Sequence, residues 1–250
     1  MVGKFQMDFP AVGPFSMTFN QIVAPGFFKR EEKTEAERFY ARWMMNEETG
    51  EIMIDGTEKI IMYDKDKEKY WLQSPEDYFF EPDTSTENNN KTFSFSFISD
   101  DEDESVPPKC TRTGGNNIEY LYGFKTKKWI TTISISEKRM VFEEWFVDTL
   151  PLKILSDSLE FEIKRKFNPN KEIIKSDEFE FSSNLFINGL DTLTSLEPIP
   201  GQAVKINFLI FEDDKDPSMT ASFEILELYA EPVDTGYFVI PEHYEKTDRD

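Results

Sequence analysis

A chain of 250 residues with one cysteine cannot staple itself internally with disulfides, nor can it build a cysteine-based zinc site. Its single histidine, His243, excludes a multi-histidine metal centre and leaves little acid–base chemistry near neutral pH. No apolar run approaches the ~18 residues of a membrane-crossing helix. Cations are scarce: 28 Lys and Arg stand against 49 Asp and Glu, a formal charge of −21. Without a basic stripe to displace phosphate counterions, nucleic acid and anionic membranes are poor direct partners. Walker, GxGxxG and nucleophile-elbow motifs are all absent.

Aromatic residues are not scarce. The 24 Phe, 9 Tyr and 4 Trp are spread along the chain, and disordered segments lack such residues. Length and aromatic content together predict a folded chain with a sizeable core.

Alternation of apolar and polar residues dominates, the period of a half-buried strand. Phe15, Met17 and Phe19 share one face of Phe15–Ile22. Phe39, Ala41, Trp43 and Met45 do the same in 38–46, which reads as a strand. Strands are expected at 51–54, 59–63 and 70–73, joined by turns at Asp55-Gly56 and Asp64-Lys65-Asp66-Lys67. Further strands are expected at 92–98, 118–122, 128–136, 139–147, 203–211 and 219–230. Residues 99–117, with the acidic run Asp100 to Glu104, read as a flexible loop, and 245–250 as a polar tail. Around 156–167 a helix with Leu159, Ile163 and Phe167 at four-residue spacing, capped by Ser156 or Asp157, competes with a strand. A second helix is expected at about 183–196. The sum is an α+β fold: one domain over 1–250, with an antiparallel sheet of about ten strands and one or two helices on its concave face.

Chemistry is thinly signalled. The carboxylates of Asp64-Lys65-Asp66-Lys67-Glu68 alternate as in a calcium loop, but the required glycine is missing and Pro75 occupies the place of the bidentate glutamate. A solvated hairpin tip explains them better. Gly114-Gly115 reads as a turn. A Cys110–His243 dyad would have to join a mid-chain loop to the tail, and no metal or cofactor is expected. The aromatic and Met side chains of Trp43, Met45, Met62, Trp71, Phe93, Phe95, Trp129, Phe142, Trp145 and Phe208 are compatible with one face of a curved sheet. That face is either an ordinary core beneath the helices or the wall of a partly open apolar cavity, and periodicity does not choose between them.

Several motifs in order carry a resemblance. The hairpin Lys59-Ile60-Ile61-Met62-Tyr63-Asp64 to Tyr70-Trp71-Leu72-Gln73 is similar to that of LolA-like lipoprotein carriers. Tyr122-Gly123-Phe124-Lys125, Lys128-Trp129, then Glu144-Trp145-Phe146 to Leu150-Pro151, and finally Phe238-Val239-Ile240-Pro241-Glu242-His243-Tyr244 resemble an uncharacterised family of exported bacterial proteins of LolA-like fold. The sequence departs from it at Thr126, where cysteine is frequent, and in the acidic insertion near Asp100. The resemblance implies a curved half-barrel plugged by helices, in the periplasm or envelope. Met1 to Phe5 shows no signal peptide, so a native leader would have to be absent from this sequence, and the cytoplasm is the alternative.

The expectation is therefore a non-enzymatic protein that binds a hydrophobic ligand, a lipid or lipoprotein acyl chain, against cavity walls formed by Trp43, Trp71, Phe95, Phe142 and Phe208. The alternatives are a protein-interaction or structural envelope module with a filled barrel, and a cofactor-free enzyme using carboxylates in the cavity. Carrier function follows from fold analogy alone.

Overall fold

The first strand, β1 (Val2–Phe9), lies in the middle of the sheet rather than at its edge. In the computed structural model it begins a meander of β2 (Gly13–Ala24), β3 (Phe27–Ala36), β4 (Glu47–Ile54), β5 (Ile60–Asp64) and β6 (Lys69–Gln73). A second meander comprises β7 (Lys109–Leu121), β8 (Phe124–Ile135), β9 (Lys138–Val147), β10 (Gln202–Phe211) and β11 (Met219–Glu227). β11 returns beside β1 and joins the halves; β12 (Glu245–Lys246) adds a short parallel pairing on β6. Among the described residues the result is one open sheet of twelve strands, ordered β12-β6-β5-β4-β3-β2-β1-β11-β10-β9-β8-β7, otherwise antiparallel and not closed. Among the described residues the α-helices are few: α1 (Phe39–Met45), α2 (Pro75–Tyr78) and α3 (Pro151–Phe167). The described residues are 1–9, 13–79, 109–135, 138–168, 182–184, 196–212 and 216–248.

Alternation sorts the strands into two faces. In β10, Val204, Ile206, Phe208 and Ile210 are buried, while Lys205, Asn207 and Leu209 between them are half-exposed. The register carries the buried set across to Phe142 and Met140 of β9, Ala221 and Phe223 of β11, and Phe5 and Met7 of β1. These residues form the main core, on the face over which α3 lies. Phe142 and Phe208 stack with ring centroids 4.7 Å apart. Burying each ring contributes about 1.5–3 kcal/mol. The opposite face of β3–β6 has a different cover. Phe238, Ile240 and Tyr244 of the tail pack against Ile52 and Tyr63 there. The apolar and aromatic positions of the tail motif are thus its packing residues, whereas Val239 and His243 are exposed.

Several expectations need correction. Residues 39–45 form a helix, not a strand: β3 already has β2 and β4 on its two sides, so the segment between has no free edge to pair with. β1 and β3 are additional strands: β1 alternates through Phe5, Met7 and Phe9, whereas β3 shows no apolar period. The strand expected at 118–122 begins at Lys109, and Gly114 and Gly115 lie within it, at a bulge rather than a turn. Gly115 has φ +78°, and a Cβ there would lie 2.2 Å from the Trp129 ring, so only glycine fits. Between the two readings of 156–167 the helix holds, but it starts at Pro151 with Leu150 before it, so neither Ser156 nor Asp157 is the cap. Proline suits that first position because its missing N–H would have no partner anyway. The strand at 92–98, most of the second helix and the loop residues 99–108 lie outside the described residues; Ser183 and Asn184 form a helical turn. Cys110, in β7, and His243, in the tail over β6, belong to opposite ends of the sheet and make no dyad.

Candidate functional site

α3 is seventeen residues long, about 25 Å at 1.5 Å per residue, and packs across β2, β3 and β4. A helix lying on a sheet ordinarily sinks an apolar stripe. α3 sinks one side chain, Ile163 at 2% exposure, into a floor of Phe28, Met53 and Ile60. Half-buried Phe167, at the end of the helix, packs on the same cluster. Polar contacts add to these two. Gln21 Nε2 donates to Glu160 Oε2 at 2.9 Å and to Ser156 Oγ at 3.3 Å. Within the helix Lys164 pairs with Glu160 at 2.7 Å; its ammonium lies over the Phe28 ring, and Lys166 pairs with Asp55 of the β4–β5 turn. At the N-terminal end of α3, Leu152, Ile154 and Leu155 are exposed. Beside the floor, Glu51 accepts from the Tyr78 hydroxyl. Burial nevertheless raises its pKa, against the pull of Tyr78, Lys164 and Arg30.

Three of the five expected wall residues share the α3 side of the sheet. Phe142 and Phe208 are adjacent there, and Trp71, opposite Met62 on β6, is seven strands away from β10. The three do not line one small cavity. Trp43 is on α1 and 87% exposed. Phe95 lies outside the described residues. Trp145, three residues beyond Phe142, points to the other face, where Lys128 and Lys205 flank its ring.

The most buried polar centre went unnoticed in the sequence. Glu144 of β9 falls in the phase of Met140, Phe142 and Phe146, and is fully buried on the core side. Its Oε1 accepts from the Ser183 backbone N–H at 2.7 Å, and its Oε2 from the Ser183 hydroxyl at 2.6 Å. Arg112 donates to Thr131 Oγ1 at 2.9 Å, to Ser183 Oγ at 3.0 Å and to the Glu197 carbonyl. Burial raises the Glu144 pKa, only partly offset by Ser183, Arg112 and Thr131; burial also lowers that of Arg112. A serine hydroxyl on a carboxylate is the beginning of a nucleophile. Here both groups are at 0% exposure, so the arrangement pins residues 182–184 to the sheet. A carboxylate in an apolar phase was the available signal.

No family model, curated protein or solved structure matches the chain. Among the described residues, no group of three or more His, Cys, Asp or Glu side chains is placed to hold a metal ion. No described helix is long and apolar enough to cross a membrane. Burial also pushes up the Cys110 thiol, which lies near Arg112.

Proposed function

We propose that this chain is a non-enzymatic binding protein of the cell envelope. Its open sheet curls as a LolA-like half-barrel, and α3 is the displaceable cover of a site for the acyl chain of a lipid or lipoprotein. The observation that carries the reading is the shallow seating of α3: one fully buried side chain, Ile163, with half-buried Phe167 beside it over an apolar floor, and polar contacts around them. Exposed ion pairs are worth about 0–1 kcal/mol each and exchange readily for water. Uncovering Ile163, Phe28, Met53 and Ile60 costs about 1.5–3 kcal/mol each, so on the order of 10 kcal/mol together. An acyl chain returns about 0.8 kcal/mol per buried methylene, so one of ordinary length offsets the cost.

A fluorescent fatty acid tests this. The native chain is expected to bind it saturably, and Gln21→Ala with Lys164→Ala, which frees α3, to take it up faster. A folded protein that ignores the probe in both forms overturns the reading. The solid packing of Phe142 on Phe208 favours that second outcome in the β9–β10 half, and it would leave an interaction module with a filled sheet.

A further inference from the structure

The sheet face opposite α3 has its own concavity, and its chemistry is different. Six residues run in register across six adjoining strands: Glu35 of β3, Ser16 of β2, Gln6 of β1, Ser222 of β11, Asn207 of β10 and Glu143 of β9. They floor a groove of about 720 Å³, which Asp8 and Thr220 continue and α1 walls with Arg42 and Asn46. That volume lies inside the roughly 300–1,000 Å³ of small-molecule sites. Asn46 Oδ1 accepts from the Ala36 N–H at 2.8 Å and Arg42 Nε donates to the Ala36 carbonyl at 3.1 Å, so the wall is fixed to the end of β3.

Two of the groove's carboxylates are paired within the protein. Glu35 pairs with Lys33 at 3.0 Å, and Glu143 with Lys128 at 3.1 Å while accepting from Asn207. The hydroxyls and amide between them are not spent. Among the described residues, Gln6, Ser16, Thr220 and Ser222 give no side-chain hydrogen bond to the protein. A floor of hydroxyl, amide and carboxylate groups does not suit an acyl chain, and at −21 the protein does not suit a polyanion. On α1, Phe39 and Trp43 are four residues apart and therefore on one stripe, next to the position of Arg42. They are 89% and 87% exposed. Neither is among the side chains that line the groove, but both belong to the helix that walls it, and an exposed aromatic on such a wall over a floor of hydrogen-bonding groups matches a sugar ring. The C–H face of the ring stacks on an aromatic, and its hydroxyls exchange hydrogen bonds with amides, hydroxyls and carboxylates.

We infer that this groove binds a saccharide, with Trp43 stacking on a ring and Gln6, Ser16, Asn207 and Ser222 meeting its hydroxyls. It lies on the other face of the sheet from α3 and is independent of the acyl-chain reading. The test is a glycan array of neutral and acidic oligosaccharides, with calorimetric titration of the strongest binder. Trp43→Ala is expected to weaken that binding about tenfold or more, and Gln6→Ala with Ser222→Ala by a similar factor. Leu155→Ala, on α3, is expected to leave it unchanged. All four substituted positions have solvent-facing or half-exposed side chains, so near-ultraviolet circular dichroism should show native packing throughout. An array with no bound glycan overturns the inference. So does binding that survives both groove variants, or a peptide that occupies the groove in place of any glycan.

Discussion

Replacing Glu144 probes the buried polar centre in two ways. Glu144→Ala removes the acceptor of the Ser183 N–H and hydroxyl and leaves the Arg112 guanidinium without its nearby anion. Leaving the buried Ser183 N–H and hydroxyl without their acceptor costs about 1–3 kcal/mol each. Domains of this kind have about 5–15 kcal/mol in total, so the loss is a large share of the stability. Urea denaturation at pH 7 should show it as a lower midpoint with an unchanged slope. A loss below ~1 kcal/mol would mean that Ser183 and Arg112 find other partners and that the centre is not a structural pin. Glu144→Gln keeps the shape and isolates the charge. Burial raises the folded pKa above the ordinary 4.5, so the native state holds this proton more tightly than the unfolded chain does. The resulting stability is complete below about 4.5 and drains away as pH climbs through the folded value. Wild-type stability minus that of Glu144→Gln should therefore fall as pH rises from 4.5 to 8. A difference that rises instead would show Arg112 outweighing burial, and would refute the assignment.

Phe208→Ala should cost about 3–5 kcal/mol, because it opens a cavity beside Phe142, whereas Trp43→Ala should stay within about 0.5 kcal/mol. Paired urea melts check this, and equal losses would mean that the two faces have been confused. Two sets of carboxyls set the pH optimum. Burial holds Glu51 and Glu144 above the ordinary value, so their protonation on descent toward 4.5 adds stability. Glu31, Glu143 and Glu224 are held below it: burial pushes each up, but Tyr63 and Lys29, Asn207 and Lys128, and Lys205 and Tyr122 respectively outweigh it. Their contribution is lost as pH falls further. The thermal midpoint should peak near pH 4.5, and a peak above pH 7 would contradict the pairings.

Strands whose apolar residues alternate cleanly were legible, with their turns: β5 and β6 around Asp64 to Lys67, and β10 and β11 on either side of 212–218. β3 was not, because Lys29, Glu31, Lys33 and Glu35 alternate with Arg30, Glu32 and Thr34, and a strand charged on both faces shows no apolar period. α1 misled in the opposite direction, since its period-two pattern is real but pairing, not pattern, decides whether a segment becomes a strand. The facing of the strands was not legible: the aromatic wall read from the sequence unites Phe142, Trp145 and Phe208 on one face, whereas Trp145, at an odd offset from Phe142, is on the other. Nor was the remoteness of Phe142 and Phe208 from Trp71, because strand order is a long-range property that no local window contains. The polar row of the groove was hidden for the same reason: Glu35, Ser16, Gln6, Ser222, Asn207 and Glu143 become neighbours only through the register of six strands.

The pairing of β1 with β11 has a consequence for birth on the ribosome. Some 210 residues separate the two strands. At about 5–20 residues per second, the first strand waits roughly 10–40 seconds for its neighbour. Throughout that interval the nascent chain carries an open strand edge, with Phe5 and Met7 on one side, which other nascent chains can extend. Aggregation during synthesis, rather than instability of the finished fold, is then the hazard this connectivity creates, and a holdase that shields the amino-terminal meander is the remedy it calls for. Joining the ends and reopening the chain between the two meanders would place β11 just before β1. The wait would disappear while every strand kept its neighbours.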